Sequence, residues 1–395
     1  MQMNTRKTLA VAAAALVAGA AHQAHAADVT VFGFLDEGVS YLHEDLNAGM
    51  AAPAGQLSPA VLGADGLTGR QGSMSRLALG SGNVNTIGIK GSEVLSDDLS
   101  VIFHMESGFL ADSGEFYGSP LFERESSVGL RSKAWGEIKF GRMPALTTGS
   151  GTTGIFNSRT NPFGAGWGNM TGGWKFAGTL AKARWNNMVN YVSPSMSGLR
   201  VHLQHSMGDK SDATEGTADA DRWTAAGVSW TAERAYFAAA VDWLKAGALN
   251  ARTQKDAWKA LAGGHVKFDA FKLYGAVEYM KNVPYIGGYS TKEWAPLATK
   301  GQLSSGFEGW ALATGVDVPA AGGTIKASVG YGFGENQNTA SQNEYDRVNV
   351  GLAYTYPLSK RTTLYGCAGW FRQDADWQED YITAHEAILG MMHRF

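Results

Sequence analysis

The chain contains a long stretch that has basic side chains but no acidic ones. Between Glu137 and Asp209 no Asp or Glu occurs. Fixed positive charges that meet in a narrow aqueous space favour anions, and salt screens this effect over about 8 Å at physiological ionic strength. The stretch is therefore the best candidate for chemistry in this sequence, and that chemistry is electrostatic. Its seven basic residues are Lys139, Arg142, Arg159, Lys175, Lys182, Arg184 and Arg200.

Motifs for catalysis or metal binding are weak. His202 and His205 lie three residues apart on a predicted strand, which places their rings on opposite faces, and no HExxH motif occurs. His104, His202 and His265 lie on predicted strands, but no neighbouring Ser carries a nucleophile motif. Cys367 is the only cysteine, so an internal disulfide is impossible. We therefore expect no enzymatic activity, no bound metal and no cofactor.

The elements that must position the charges are β-strands. Apolar and polar residues alternate with a period of two along most of the chain. Residues 199–204 are a clear example, where Leu and Val side chains alternate with Arg200, His202 and Gln204. Such alternation fits a soluble sandwich with its apolar face inward, and it equally fits a membrane barrel with its apolar face toward lipid.

Three features favour the membrane barrel. Short turns such as 96–98 and 359–361 alternate with long polar loops such as 44–72 and 282–307. The alternating segments number about sixteen, which is enough to leave a water-filled lumen. Many predicted strands carry an aromatic residue near one end, as the interfacial belts of such barrels do. We therefore predict an all-β fold, a transmembrane antiparallel β-barrel of about sixteen strands. The aromatic residues are Tyr41, Trp243, Tyr279, Tyr356 and Trp370.

The two ends of the chain predict export and insertion. Arg6 and Lys7, an apolar stretch over 9–21 and the small-residue site Ala24-His25-Ala26 form a secretory signal, so residues 1–26 are a predicted signal peptide and 27–395 a single barrel. The apolar stretch is shorter than the about 20 residues of a membrane helix. The last strand ends on the aromatic Phe395. Removing Arg6 and Lys7 changes the net charge from -3 to -5, which gives no sign of nucleic-acid binding.

Several segments, taken in their order along the chain, resemble the general porins of Gram-negative outer membranes. The resemblance runs from the signal to the last residue. It implies a sixteen-stranded, trimeric barrel in the bacterial outer membrane whose third external loop folds into the lumen and narrows it. The matching segments are Val31–Asp36, Ile87–Glu93, Phe103–Phe109, Leu121–Arg124, Val128–Arg131, Gly136–Arg142 and His393–Phe395.

By this resemblance, the constriction loop follows the strand Trp135–Arg142 and spans about residues 143–180. Its segment Asn161–Gly166 looks like the Pro-aromatic-Gly turn at the tip of the family's loop. A solvated, mobile surface loop is the alternative, because Gly and Thr are abundant here. The candidate loop residues are Arg159, Pro162, Phe163, Gly164 and Lys175.

The resemblance also implies which wall residues line the constriction. Arg124 and Arg184 occupy positions where the family has wall arginines, and strand alternation places Arg184 and Arg200 on the inner face. Glu106 and Asp36 are predicted lumen-facing acids that could lie opposite the arginines. The family usually places acidic residues on the inserted loop, and this sequence has none there. We therefore expect chloride to pass more readily than potassium.

The predicted function is a channel for passive diffusion of small hydrophilic solutes and ions. Its expected partners are two further copies in a homotrimer, outer-membrane lipid and the solutes, with no nucleic acid. A substrate-specific channel of the same architecture is the alternative, and it would need an aromatic track in the lumen. Strand alternation places Trp185 and Trp243 toward lipid, whereas Trp167 and Trp174 in the loop either stack on sugars or pack the loop against the wall. An adhesin barrel is a further alternative, which conductance in a planar bilayer would exclude.

Overall fold

The computed structural model describes residues 28–46, 72–80, 83–116, 120–148, 151–164, 167, 178–179, 183–208, 221–245, 256–283, 285–286, 299–300, 306–337, 344–376 and 381–395. The predicted signal peptide and the loop residues Trp174 and Lys175 lie outside the described residues. No helix in the described part of the chain is long and apolar enough to cross a membrane.

The described residues form twenty strands and one short helix. The first are β1 (Asp28–Leu46), β2 (Gly72–Gly80), β3 (Asn85–Val94), β4 (Leu99–Phe109), β5 (Glu125–Ser132) and β6 (Gly136–Pro144), followed by α1 (Asn157–Thr160) and β7 (Gly178–Thr179). Next come β8 (Arg184–Val192), β9 (Leu199–Ser206), β10 (Arg222–Thr231), β11 (Ala235–Lys245), β12 (Ala257–Lys267), β13 (Lys272–Val283), β14 (Tyr285–Ile286) and β15 (Thr299–Lys300). The last are β16 (Phe307–Ala320), β17 (Gly323–Asn336), β18 (Glu344–Pro357), β19 (Thr362–Ala375) and β20 (Ile382–Arg394).

Seventeen of these strands form one antiparallel sheet that closes on itself. Closure occurs where β1 pairs with β20 over Phe34–Asp45, and we call this junction the seam. The other edge of β1 pairs first with β3 and then with β2. β2 and β3 are therefore two halves of one barrel strand, and the barrel has sixteen strands around its circumference. This confirms the predicted fold class.

The two faces of the sheet are inverted relative to a soluble protein. On β20 the outward Leu389 is 72% exposed, whereas the inward Glu386 is 2% exposed. On β11 the outward Val241 and Trp243 are exposed, whereas Asp242 between them is buried on the inner face. A soluble sandwich buries its apolar face. A membrane barrel instead presents that face to hydrocarbon and keeps its polar side chains inside, so the soluble alternative is wrong.

The connections between strands differ at the two rims. Residues 95–98, 133–135, 232–234, 268–271, 321–322 and 358–361 join strands at one rim by short turns. The connections at the other rim include the longer segments 110–124 and 145–183. Short turns at one rim and long loops at the other are typical of outer-membrane barrels. Residues 145–183, which we call the inserted loop, start from the rim of long connections.

Candidate functional site

The inserted loop turns into the barrel directly after β6. The amide of Leu146 donates a hydrogen bond to Gln204 Oε1 at 2.6 Å, and the hydroxyl of Thr147 donates to Asp242 Oδ2. Trp223 Nε1 donates to the same carboxylate oxygen at 3.3 Å. All five residues are buried and the wall residues point inward. The root of the loop is therefore attached to the inner wall.

Apolar packing continues this attachment. Leu146 and Phe156 of the loop are both 0% exposed, and they lie in one cluster with Trp185 and Trp223 of the wall. The two tryptophan rings stack with their centroids 6.0 Å apart. Burying a large apolar side chain contributes about 1.5–3 kcal/mol, so this cluster is a substantial anchor. The alternative of a solvated surface loop is wrong for the described part of the segment.

Helix α1 lies on β11, β12 and β13. Tyr236, His265 and Tyr274 are successive partners in the register of these three strands, and adjacent rings contact each other. We call these three residues the aromatic row. The Tyr236 hydroxyl donates to the carbonyl of Ile155 at 2.6 Å, and His265 Nδ1 lies 2.7 Å from the carbonyl oxygen of Arg159. The aromatic row therefore binds backbone carbonyl groups in helix α1 and in the segment just before it.

The tip of the loop is a turn over Asn161–Gly164. Asn161 accepts two hydrogen bonds, from the amide of Phe163 on Oδ1 at 2.8 Å and from the amide of Gly164 on its carbonyl at 3.1 Å. Gly164 has φ of 59°, a conformation that other residues rarely adopt. Pro162 lies directly on Gly315 of β16, where an added Cβ would stand 2.6 Å from Pro162 Cγ and Cδ. The wall therefore requires glycine beneath the tip.

Phe163 packs the tip of the loop against the wall at the seam. It is 1% exposed and packs in a cluster with wall residues from β18, β19 and β20. Trp167 lies edge-to-face between Phe163 and Tyr365, with ring centroids 5.5 Å from each. The loop thus crosses the lumen from β6 to β20, as the resemblance implies, and Trp167 packs the loop against the wall. The wall residues are Ala353, Tyr365, Cys367, Ile388 and Met392.

Arg124 lies beside Glu106 on the same wall. Its Nε lies 2.6 Å from Glu106 Oε1, and His104 Nε2 lies 3.2 Å from Oε2 of the same carboxylate. Both partners of the ion pair are largely buried. Arg124 precedes β5, so strand alternation does not constrain its side chain, which reaches the inner face. Glu106 therefore neutralises its neighbour, and the expectation that it lies opposite the arginine across the lumen is wrong.

Asp36 is also on the inner face, but it has a local structural role. It lies at the interruption between β2 and β3, and it is 0% exposed. Its Oδ2 accepts from the amide of Asn83 at 2.8 Å and from Asn83 Nδ2 at 3.0 Å. Its Oδ1 accepts from the Tyr365 hydroxyl at 2.7 Å. These donors satisfy the carboxylate and fix the interrupted strand, so Asp36 does not oppose the arginines across a filter.

Arg184 is not on the inner face, which corrects the prediction from strand alternation. The register between β6 and β8 shifts near Asn187, whose φ is 51°. Such a bulge adds one residue to a strand and reverses the faces beyond it. Asn190, on the C-terminal side of the bulge, points inward. On its N-terminal side, Trp185 is the buried, inward residue. Because neighbouring residues alternate, Arg184 lies on the outer face.

Two neighbouring residues support this assignment. Arg142 Nη1 donates to Asn186 Oδ1 at 2.6 Å, and Arg142 pairs with Ser126 on the outward side of β5. The prediction that Trp185 faces lipid is wrong because of the same bulge. The prediction is correct for Trp243, which points outward and is 55% exposed.

Arg200 and Arg159 are exposed cations on the inner side of the barrel. Arg200 shares the inner face of β9 with His202 and Gln204, as alternation predicts. Arg159 extends from α1, with its guanidinium carbon 5.0 Å from the centre of the Tyr236 ring. Among the described residues, neither arginine forms an ion pair with a carboxylate.

Six inward acids, by contrast, are neutralised or shielded. Four pair with a base within 3.2 Å. Asp36 and Asp242 accept hydrogen bonds from neutral groups and are 0% and 2% exposed. Arg159 and Arg200 therefore present positive charge to the open lumen without a carboxylate partner among the described residues. The four pairs are Glu106–Arg124, Glu125–Lys139, Glu278–Lys259 and Asp317–Lys326.

The sequence patterns do not point to the residues that hold the loop. Tyr236, His265 and Gly315 look like ordinary strand residues, and only the register of β11 to β16 aligns them beneath the loop. In the described part of the chain, no group of three or more His, Cys, Asp or Glu side chains is placed to hold a metal ion.

A family model for Gram-negative porins matches residues 10–376. An outer membrane porin protein of Bordetella pertussis is 30% identical over 99% of this chain and 100% of its own length. Outer membrane porin protein 32 of Delftia acidovorans is 26% identical over 90% of this chain and 87% of its own length.

Solved structures share the architecture. An anion-selective porin from Comamonas acidovorans superposes with a TM-score of 0.65 at 19% identity, over 94% of this chain and 100% of that one. An outer membrane protein of Vibrio cholerae, solved in a trimer form, superposes with a TM-score of 0.58 at 14% identity, over 94% and 100% of the two chains. At these identities the likeness concerns the fold.

Proposed function

Because this chain belongs to the Gram-negative porin family, we propose that its channel prefers anions and that Arg159 of the inserted loop carries most of this preference. The protein is an outer-membrane porin, a water-filled channel through which small hydrophilic solutes diffuse passively.

The observation that carries the proposal is the charge on the loop. Arg159 is exposed on a segment that lies inside the barrel, and its stretch of sequence contains no acid. Six wall acids are paired with bases or hidden from the open lumen. A unit charge about 4 Å from a passing ion contributes about 1 kcal/mol even in bulk water. One unbalanced guanidinium at a narrow section is therefore enough to favour anions.

The comparisons are consistent with this proposal but do not replace it. The Comamonas acidovorans porin is named anion-selective, and it shares the fold at 19% identity. That likeness does not transfer individual residues, so the assignment to Arg159 rests on its position and on its lack of an acidic partner among the described residues.

Reversal potentials across a planar bilayer with a KCl gradient test the proposal. Arg159→Ala should lower the chloride-to-potassium permeability ratio by about five- to thirtyfold in dilute salt, because one charge at about 4–8 Å attracts chloride and repels potassium by about 0.5–1 kcal/mol each. The effect should shrink in concentrated salt, because the screening length falls from about 10 Å at 0.1 M to about 3 Å at 1 M. A ratio unchanged in Arg159→Ala would refute the assignment.

Arg234→Ala is the matched control. Arg234 is exposed in a short turn at the opposite rim, where it pairs with Asp269 at 2.7 Å. Its removal takes away the same charge at a distance from the loop. We expect the permeability ratio to stay at the wild-type value. An equal shift in both variants would mean that the ratio reports overall charge and not the charge on the loop.

We also propose that three copies assemble through the outer surface of the seam. Glu37 shares the outward face of β1 with Leu35 and Val39, and no cation pairs with it among the described residues. An acid on the lipid face is unfavourable near the bilayer midplane, so cover by a second subunit suits this position. The outward Leu389 of β20, 72% exposed, lies on the same surface.

A further inference from the structure

The wall residues beneath the inserted loop lie in one row across four adjacent strands. Tyr236 of β11, His265 of β12, Tyr274 of β13 and Gly315 of β16 are successive register partners. Three of these four positions touch the loop directly, through Ile155, through the backbone of Arg159 and through Pro162. The loop is therefore seated along a single line of wall residues, with the proposed selective charge in the middle.

His265 meets a backbone group that the helix leaves unsatisfied. Helix α1 has a single turn, and the last four carbonyl groups of any helix have no partner within it. The carbonyl oxygen of Arg159 is one of these, and it can only accept. His265 Nδ1, 2.7 Å away, must therefore carry the proton and donate it. The ring of His265 is itself fixed between Tyr236 and Tyr274, at centroid distances of 5.9 Å and 5.6 Å.

Tyr236 contacts both the segment that precedes helix α1 and the guanidinium of Arg159. Its hydroxyl donates to the carbonyl of Ile155 at 2.6 Å. The guanidinium of Arg159 lies over its ring at 5.0 Å, and Arg159 Nη1 lies 3.5 Å from the hydroxyl oxygen. Cation–π contact of this kind favours one placement of a guanidinium over the many that a long side chain can adopt.

We propose that His265 and Tyr236 are positioning residues for ion selection: they hold the Arg159 guanidinium at one place in the lumen, so that anion preference depends on two uncharged wall contacts. His265 fixes the backbone that carries the side chain, and Tyr236 fixes the charge itself. The inference rests on the proposed function of Arg159.

Placement matters because the interaction depends steeply on distance. The Coulomb energy between a fixed charge and an ion halves when their separation doubles, and salt screening reduces the more distant interaction further. A guanidinium that moves freely over several ångströms therefore selects less strongly than a fixed one. Removing either wall contact should lower selectivity although every charge of the channel remains.

The test uses graded substitutions in the full-length, refolded or membrane-extracted channel. His265→Ala removes the donor, whereas His265→Asn keeps an N–H donor near the same place and should retain most of the preference that alanine loses. Tyr236→Phe keeps the ring and removes the hydroxyl, so it should lower the permeability ratio less than Tyr236→Leu. Recordings at pH 8, where an imidazole of ordinary pKa is uncharged, keep the charge of the channel equal across the set.

The deciding measurement is a double-mutant cycle. If the wall residues act through the guanidinium, His265→Ala should lower the chloride-to-potassium ratio in the wild-type background and leave it unchanged in an Arg159→Ala background. A residue that only stabilises the barrel would change both backgrounds equally, and this outcome would overturn the inference. Heat-dependent gel migration verifies that each variant is folded, and Tyr236→Phe provides the same cycle if His265→Ala does not fold.

The two proposals fail in different ways. If Arg159→Ala alone leaves the ratio unchanged, the proposed function of Arg159 is wrong. If Arg159→Ala lowers the ratio while His265→Ala and Tyr236→Leu do not, the charge selects without help from the wall, and only the positioning role is refuted.

Discussion

The tip of the inserted loop should be dislodged by a single methyl group at Gly315. An alanine Cβ at this position would stand 2.6 Å from both Cγ and Cδ of Pro162 and 2.8 Å from the carbonyl oxygen of Ala327. Favourable carbon–carbon contacts lie at about 3.5–4.0 Å, so the proline ring must retreat by about 1 Å. The wall cannot give way instead, because β16 is hydrogen-bonded along its length to β13 and β17.

The size of the effect follows from the cost of overpacking. An extra methyl group in a well-packed site typically costs about 1–3 kcal/mol. That cost lowers the ratio of seated to unseated tips by about fivefold to more than a hundredfold. A tip pushed off the wall moves into the passage, so the mean single-channel current should fall and its fluctuations should increase. Barrel stability should change little, because the strands remain paired.

Gly275→Ala is the matched control for this experiment. Gly275 lies on β13 opposite Thr314, the residue before Gly315, and an added Cβ there meets nothing within 4 Å. The same chemical change on the outward face should leave the current trace at the wild-type level. Single-channel traces that do not differ between Gly315→Ala and wild type would refute the seating of Pro162 on the wall.

Four further outcomes are expected. Arg124→Ala should destabilise the barrel by about 3 kcal/mol, because it leaves the largely buried Glu106 with only His104 beside it; Arg124→Met with Glu106→Gln should regain most of this in heat-dependent gel migration. The Ser132 hydroxyl and neighbouring backbone amides lower the pKa of Asp98 in a short turn. Its stabilisation is therefore present above the unfolded-state pKa and lost as pH falls through the folded pKa, and Ser132→Ala should raise that pKa in a carboxyl NMR titration. Unboiled protein should migrate as a trimer, and migration as a compact monomer in mild detergent would contradict the assembly. The mature chain should begin at Ala27 in N-terminal sequencing.

The barrel could be predicted from the sequence because lipid-facing and lumen-facing positions alternate along every strand. Lipid requires an apolar side chain at alternate positions, and this requirement leaves a period of two on about sixteen segments. The tip turn could be predicted from the resemblance of its segment to the family's Pro-aromatic-Gly turn, and its geometry needs particular residues. Gly164 adopts a positive φ, and Asn161 caps the turn with its own side chain.

The wall of the site could not be predicted in the same way. One extra residue near Asn187 reverses the faces of Arg184 and Trp185, and a bulge leaves no mark in the local composition. The pairing of Arg124 with Glu106 depends on where a residue outside β5 directs its side chain. His265 reaches the loop only because the register of the neighbouring strands brings it there.

The cluster at the end of the loop has a consequence for assembly. Phe163 packs against Ile388 and Met392, about 230 residues later in the chain, and these belong to the strand that pairs with β1. Contacts this distant in sequence form late, after nearer ones have closed. A chain whose final strand has not yet joined the first offers Phe163 only part of its binding surface. The narrow passage is therefore completed in the same step as barrel closure. An intermediate that remains open along the seam would lack the constriction that selects ions.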